Sequence, residues 1–143
     1  MEIVKMTACD YRELAELDKK CFSVPWSEQS FLEETKNRLA TYLLAKENGK
    51  ILGYCGFWRV SGEAQVTNIA VLPEYRRKGI ARILAEKMLD ICKDDEQIVL
   101  EVRKSNTAAI SLYEQLGFRE AGVRKHFYHN PDEDGITMLR RKI

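Results

Sequence analysis

The amino-acid sequence predicts an α/β fold: a mixed sheet carrying helices on both of its faces. Three observations lead there. Short runs rich in β-formers alternate with segments whose apolar residues recur at helical spacing. Asn48-Gly49 stands between two such β-rich runs, the strongest short-range signal for a hairpin. The segment "EAQVTNIAV" runs through a short connection into a long apolar stripe, a strand-to-helix unit.

The elements follow in order. Residues 2–6 suit a short strand. "DYRELAELDKKCF" sets Leu14, Leu17 and Cys21 at helical spacing, with Asp10 as the expected N-cap. Pro25 ends that helix, and Ser27 caps a second one carrying Phe31 and Leu32. Residues 41–47 and 50–60 are the two hairpin strands, and the next strand ends near Leu72-Pro73. A helix begins near Gly79, with Ala81, Leu84, Ala85, Met88 and Cys92 as its buried stripe. "EQIVLEVR" is an apolar strand. In "SNTAAISLYEQLGF", Asn106 suits the N-cap, Gly117 the C-cap, and Ala108, Leu112 and Leu116 share a face. Strands near 118–128 and 135–141 finish the chain.

Composition narrows the functional classes. With 143 residues, 45% hydrophobic and 31% charged, the chain reads as one globular domain. A net charge of +1 offers no general basis for nucleic-acid binding, so any basic patch is local. No apolar run approaches the roughly 20 residues that span a bilayer, and the first residues do not read as a signal peptide. Cys9, Cys21, Cys55 and Cys92 contain no CxxC pair and read as free thiols of a reducing, cytoplasmic environment. His126 and His129 make a poor metal site, and no metal is expected.

The local basic patch is "RRKGIA". Three cations precede Gly79 where a strand gives way to a helix. The first turn of a helix carries unpaired N–H groups and partial positive charge, and a glycine lets a ligand approach the backbone. That combination suits phosphates, with a solvated basic turn as the alternative. The stretch is neither GxxxxGK[ST] nor GxGxxG, so triphosphate and dinucleotide sites are not indicated. Glu101 is the second unusual residue. A carboxylate near the end of an apolar strand must be paired or partly wet. Alternation puts it on a face with Val99 and Arg103, and an ion pair with Arg103 or Lys104 is one account of it.

These segments resemble a known family. Arg76-Arg77-Lys78-Gly79-Ile80-Ala81 is similar to the R/Q-x-x-G-x-G/A pyrophosphate loop of the GCN5-related N-acetyltransferases, the GNAT superfamily. "CFSVPWS", "NIAVLPEYRRKGIA", "LEVRKSNTAAISLYEQLGF" and "DEDGITM" resemble its RimI branch, the ribosomal-protein-alanine N-acetyltransferases, from about Cys21 to Met138.

The resemblance implies a single N-acetyltransferase domain over 1–143, with a mostly antiparallel sheet of about six to seven strands. It implies acetyl-CoA as co-substrate, its pantetheine arm between two parting strands. Ile69, Ala70 and Val71 would face that arm, and a backbone N–H near Val71 would polarise the thioester carbonyl. Arg76, Arg77, Lys78, Gly79, Ile80, Ala81 and Arg82 would wrap the diphosphate, mostly through main-chain amides. Asn106 would touch the arm. Glu101 becomes the proton acceptor and Tyr113 the general acid, although spacing alone makes Tyr113 a core residue. Pro25, Trp26, Phe127 and Tyr128 would shape the acceptor entrance. Glu33 and Glu34 read as exposed helix charge, with attraction of a cationic peptide as the alternative. Phe127 stands where the branch has a tyrosine and Gly135 where it has an alanine. The implied acceptor is a protein N-terminus, most simply an alanine of a small-subunit ribosomal protein. A lysine side chain or small amine is the rival acceptor, and a non-catalytic acyl-CoA-binding module the rival class. No nucleic acid, membrane or assembly beyond a monomer or weak dimer is expected.

Overall fold

Seven strands and four helices account for the segments anticipated above. The computed structural model describes residues 1–142; residue 143, the last of the expected span, lies outside them. In chain order the elements are β1 (Glu2–Lys5), α1 (Tyr11–Cys21), α2 (Glu28–Thr35), β2 (Ala40–Glu47), β3 (Lys50–Val60), β4 (Glu63–Val71), α3 (Ile80–Ile91), β5 (Gln97–Arg103), α4 (Thr107–Gln115), β6 (Arg119–Tyr128) and β7 (Glu133–Arg141). A single 3-10 turn, Pro73–Tyr75, lies between β4 and α3.

The strands form one sheet in the order β1-β2-β3-β4-β5-β7-β6. Every neighbouring pair is antiparallel except β4 and β5. Helices cover both faces. Leu14, Leu17 and Phe31 of α1 and α2 pack with Tyr42, Leu44, Ile51 and Tyr54 on one side. Ile80, Leu84 and Met88 of α3 and Tyr113 of α4 pack with Cys55, Phe57, Ile98, Leu100 and Val102 on the other. Double coverage explains why β3 reads as an unbroken apolar run: both of its faces are buried from Ile51 to Phe57.

Local chemistry matches the turns. Asn48 and Gly49 both take positive φ, as a type I′ turn requires, and Ser61-Gly62 repeats the device between β3 and β4. Ser27 caps α2, its hydroxyl accepting from the Ser30 N–H at 3.1 Å. Asp10 precedes α1 as expected but does not cap it through its side chain. Its carboxylate turns back to accept from the Thr7 N–H at 2.7 Å and from Lys46 at 3.0 Å, tying the helix entrance to β2.

Two irregularities position the site. Gly56 pairs with Asn68 while Phe57 pairs with Val66, so Thr67 is an extra residue, a β-bulge in β4. The parallel pairing of β4 with β5 covers only Glu63–Gln97, Ala64–Ile98 and Gln65–Val99. Beyond the bulge the two strands part, and their carboxyl ends diverge in the middle of the sheet.

Candidate active site

The end of β4 turns backbone groups into the gap between the strands. Leu72 N–H donates to the Leu52 carbonyl at 2.8 Å. In an antiparallel ladder its neighbour Val71 therefore points N–H and C=O away from β3, toward the side that β5 has left. The Val71 carbonyl is engaged there by Arg76 Nε at 3.0 Å and by the Cys21 thiol at 3.4 Å. Arg76 thus braces the loop through its side chain. Ile69 N–H is held by the side chain of Asn68 at 3.0 Å.

The loop itself is shaped by left-handed residues. Arg77 has φ +64° and Gly79 φ +80°, flanking Lys78 just before α3. Alternation of this kind turns successive N–H groups to one side and makes an anion-binding concavity. Arg76 N–H donates to Pro73 and Ile83 N–H to Gly79, but among the described residues no N–H of residues 77–82 has a protein acceptor. Gly79 is the α3 N-cap without any side-chain cap. A Cβ on Gly79 would meet no protein atom within 4 Å, so backbone conformation sets the need for glycine. Lys78 and Lys50 each bring an ammonium 5.3 Å from the Tyr75 ring beside the loop, and Arg82 hydrogen-bonds Gln115 at the end of α4.

Glu101 and Tyr113 lie on opposite faces of the sheet. Ile98, Leu100 and Val102 face α3 and α4, so Glu101 faces the α1–α2 side with Val99 and Arg103, as alternation required. Its partner is neither Arg103 nor Lys104. Arg103 is spent on Glu133 at 3.1 Å and on the His129 and Pro131 carbonyls, and its guanidinium lies 4.7 Å from the Tyr128 ring. Glu101 pairs instead with Arg124 of β6 at 3.7 Å.

Tyr113 is held by the way α4 ends. Phe118 N–H donates to the Tyr113 carbonyl and Gly117 N–H to Glu114, with Gly117 at φ +97°, a complete Schellman motif. The apolar contact that accompanies such a motif is here the Tyr113–Phe118 ring pair, 5.8 Å apart and edge-on. "LYEQLGF" therefore encodes the device that fixes this tyrosine. Tyr113 is buried and leads the α4 contact face with Ala109, Leu112 and Leu116, while Ala108, expected on that face, is exposed. Asn106 caps α4, accepting from Ala109 N–H at 3.2 Å.

Burial, then the nearby Cys55 and Tyr128, push the Tyr113 phenol well above its ordinary value, so it stays protonated at neutral pH. Burial and the charge of Glu101 push Tyr128 up to about 12.

The expected acceptor side contains Pro25, Trp26, Phe127 and Tyr128. Trp26 N–H donates at 2.9 Å to Asp18, and its ring packs 5.5 Å from Phe31. Phe127 and Tyr128 meet edge-on at 5.0 Å. A Cβ on Gly135 would come within 3.2 Å of both rings, so glycine lets the pair settle onto β7. His126 is held locally, by Asp132 at 2.7 Å and Asp134 at 2.9 Å.

Three charged residues have structural roles that local sequence did not reveal. Asp18 is fully buried on α1 and accepts from Tyr54 at 2.7 Å as well as from Trp26; burial raises its carboxyl above the usual range. Glu34 is not exposed helix charge. It is 7% exposed and accepts from Tyr42 at 2.7 Å, Trp58 at 2.7 Å and Asn37 at 3.0 Å. Tyr42 also meets Thr67 at 3.1 Å, so this network ends on the bulge where β4 leaves β5. Arg124 is the third.

The comparisons agree with this architecture. The model of the acetyltransferase (GNAT) family matches residues 11–118. A [ribosomal protein bS18]-alanine N-acetyltransferase of Escherichia coli K12 is 39% identical over 126 residues, covering 85% of this chain and 84% of its own. A protein of the same name from Haemophilus influenzae is 37% identical over 143 residues, covering 95% of each chain. The crystal structure of the ribosomal-protein-S18-alanine N-acetyltransferase from Escherichia coli superposes with a TM-score of 0.92 at 33% identity, over 99% of this chain and 94% of that one. With parted central strands, a run of free amides opening α3 and relatives that match nearly end to end, the chain belongs to the GNAT family of acetyltransferases.

Proposed function

We propose that this chain transfers an acetyl group from acetyl-CoA to the α-amine of a protein N-terminus, with an N-terminal alanine of ribosomal protein bS18 as acceptor. The observation that carries the reading is the run of unpaired N–H groups at residues 77–82, set where β4 and β5 part. Amides fixed in this way fit a diphosphate, and the parted strands fit a narrow extended arm. The acceptor follows from relatives of that name matching over most of both chains.

Acetyl-CoA supplies an activated thioester. The residues of this chain do the rest. The loop at Gly79 would hold the diphosphate, with Asn106 beside the arm. Val71 N–H, turned into the gap, would hydrogen-bond the thioester carbonyl where negative charge develops. Glu101 would take the proton from the amine, directly or through one water; an α-amine, with a pKa of about 7.7–8.0, needs only modest help. The new C–N bond forms as the C–S bond breaks, and Tyr113, protonated at neutral pH, would return a proton to the leaving sulfur. Phe127, Tyr128, Pro25 and Trp26 would border the acceptor peptide. We assign the whole chain to one catalytic domain working in the cytoplasm, which suits its free cysteines.

The test is site mapping by mass spectrometry after incubation with acetyl-CoA and peptides bearing both a free N-terminus and an internal lysine. Acetylation at the α-amine, lost in the Glu101→Gln, Tyr113→Phe double variant, is expected. Modification confined to lysine contradicts the acceptor class. Equal turnover by wild type and the double variant contradicts the catalytic roles.

A further inference from the structure

The partner of Glu101 has a chemistry of its own. The Arg124 guanidinium lies 3.7 Å from the Glu101 carboxylate and, at the same time, 4.6 Å from the centre of the Phe127 ring. The two residues are not on adjacent strands. Arg124 is opposite Gly135 on β7, and Gly135 is opposite Arg103 on β5. Ile136 and Met138 face the α3 core, so between Arg124 and Glu101 β7 presents Gly135 and Thr137, and Arg124 reaches across these small residues to Glu101.

The other charged groups near Glu101 are accounted for. Arg103, on the same face of β5, is held by Glu133 and two carbonyls. Tyr128 stays neutral at physiological pH. Arg124 therefore supplies the positive charge nearest the carboxylate. Its side chain is 58% exposed, so it has room to swing away without disturbing the core.

An incoming acceptor presents the same charge to the same carboxylate. An α-ammonium and a guanidinium repel each other and cannot share one carboxylate at low cost. We infer that Arg124 is a placeholder cation: it occupies Glu101 while the acceptor site is free, and retreats onto Phe127 when a protein N-terminus enters. This rests on the reading of Glu101 as proton acceptor. The device makes every acceptor displace a resident cation. Arg124 acts through Glu101 and is a positioning residue.

Arg124→Gln should lower the acceptor KM by about two- to five-fold, the range for a half-exposed ion pair. It should leave the acetyl-CoA KM unchanged. Arg124→Lys, which keeps the charge, should restore the wild-type acceptor KM.

An acceptor KM that stays constant or rises in Arg124→Gln overturns the placeholder. Glu101→Gln with full activity would instead remove the parent reading of Glu101. Loss of activity in Glu101→Gln together with an unchanged acceptor KM in Arg124→Gln sinks the placeholder alone.

Discussion

Replacing Gly79 by alanine separates backbone cost from ligand cost. Gly79 holds φ +80°, and a Cβ there meets no protein atom within 4 Å. The penalty in the free protein is therefore conformational, about 1–2 kcal/mol for an L-residue held in the left-handed region. Gly62, in the β3–β4 turn at the far end of β4, provides the control. It has φ +82°, and its nearest contact would be an ordinary 3.8 Å to Glu96. Alanine at either position should lower stability in urea by a similar amount. Only Gly79→Ala should weaken binding of CoA. If the substituted loop relaxes to negative φ, at least one amide turns away from the diphosphate. A charge-assisted hydrogen bond is worth about 1.5–3 kcal/mol, or about 10- to 100-fold in Kd. Titration calorimetry with CoA on both variants gives the answer. Equal affinities, alongside equal losses of stability, would refute the role assigned to the loop.

Four further outcomes are expected. Tyr113→Phe should lower kcat by about 100-fold or more, as loss of a general acid does, with CoA affinity by calorimetry unchanged. Gly117→Val places a side chain in the left-handed region, where even a Cβ comes 3.2 Å from Arg140 Nε; it should cost more than about 1–2 kcal/mol in urea and reduce kcat by releasing Tyr113. Glu34→Ala removes the acceptor shared by Tyr42 and Trp58 and should cost about 1–3 kcal/mol by denaturant unfolding, the penalty for a buried donor left without a partner. Asp95 is the pH case. Hydrogen bonds from Arg59, outweighing burial, hold its carboxyl below the unfolded value of 3.8. The stabilisation is present above that value and is lost as pH falls through the folded pKa. Thermal melts of wild type and Asp95→Asn should therefore differ at neutral pH and converge in strong acid.

Local sequence carried the elements that local physics decides. The Asn48-Gly49 turn, the Ser27 and Asn106 caps, the Gly117 ending and the α3 stripe all depend on neighbours within a few residues. Features set by distant partners were hidden. Glu34 looks like any helix glutamate between Glu33 and Thr35; its donors come from β2, β3 and the loop beyond α2. Glu101 sits among cations in sequence, yet its partner lies on β6, because Arg103 is drawn off by the β6–β7 turn. In α4 nearly every position is apolar or small, so periodicity could not choose the face; the Schellman ending chose it, and brought Tyr113 inward where Ala108 was expected. The parting of β4 and β5 was anticipated only through family resemblance, since a bulge at Thr67 leaves no mark in hydrophobic alternation.

Backbone amide shifts on titration with CoA read the assigned cofactor site residue by residue. The largest changes are expected at residues 77–82 and at Val71, with pantetheine, which lacks the nucleotide diphosphate, moving Val71 but not the loop. Shifts concentrated elsewhere, with the amides around Gly79 unmoved at saturating CoA, would overturn that assignment.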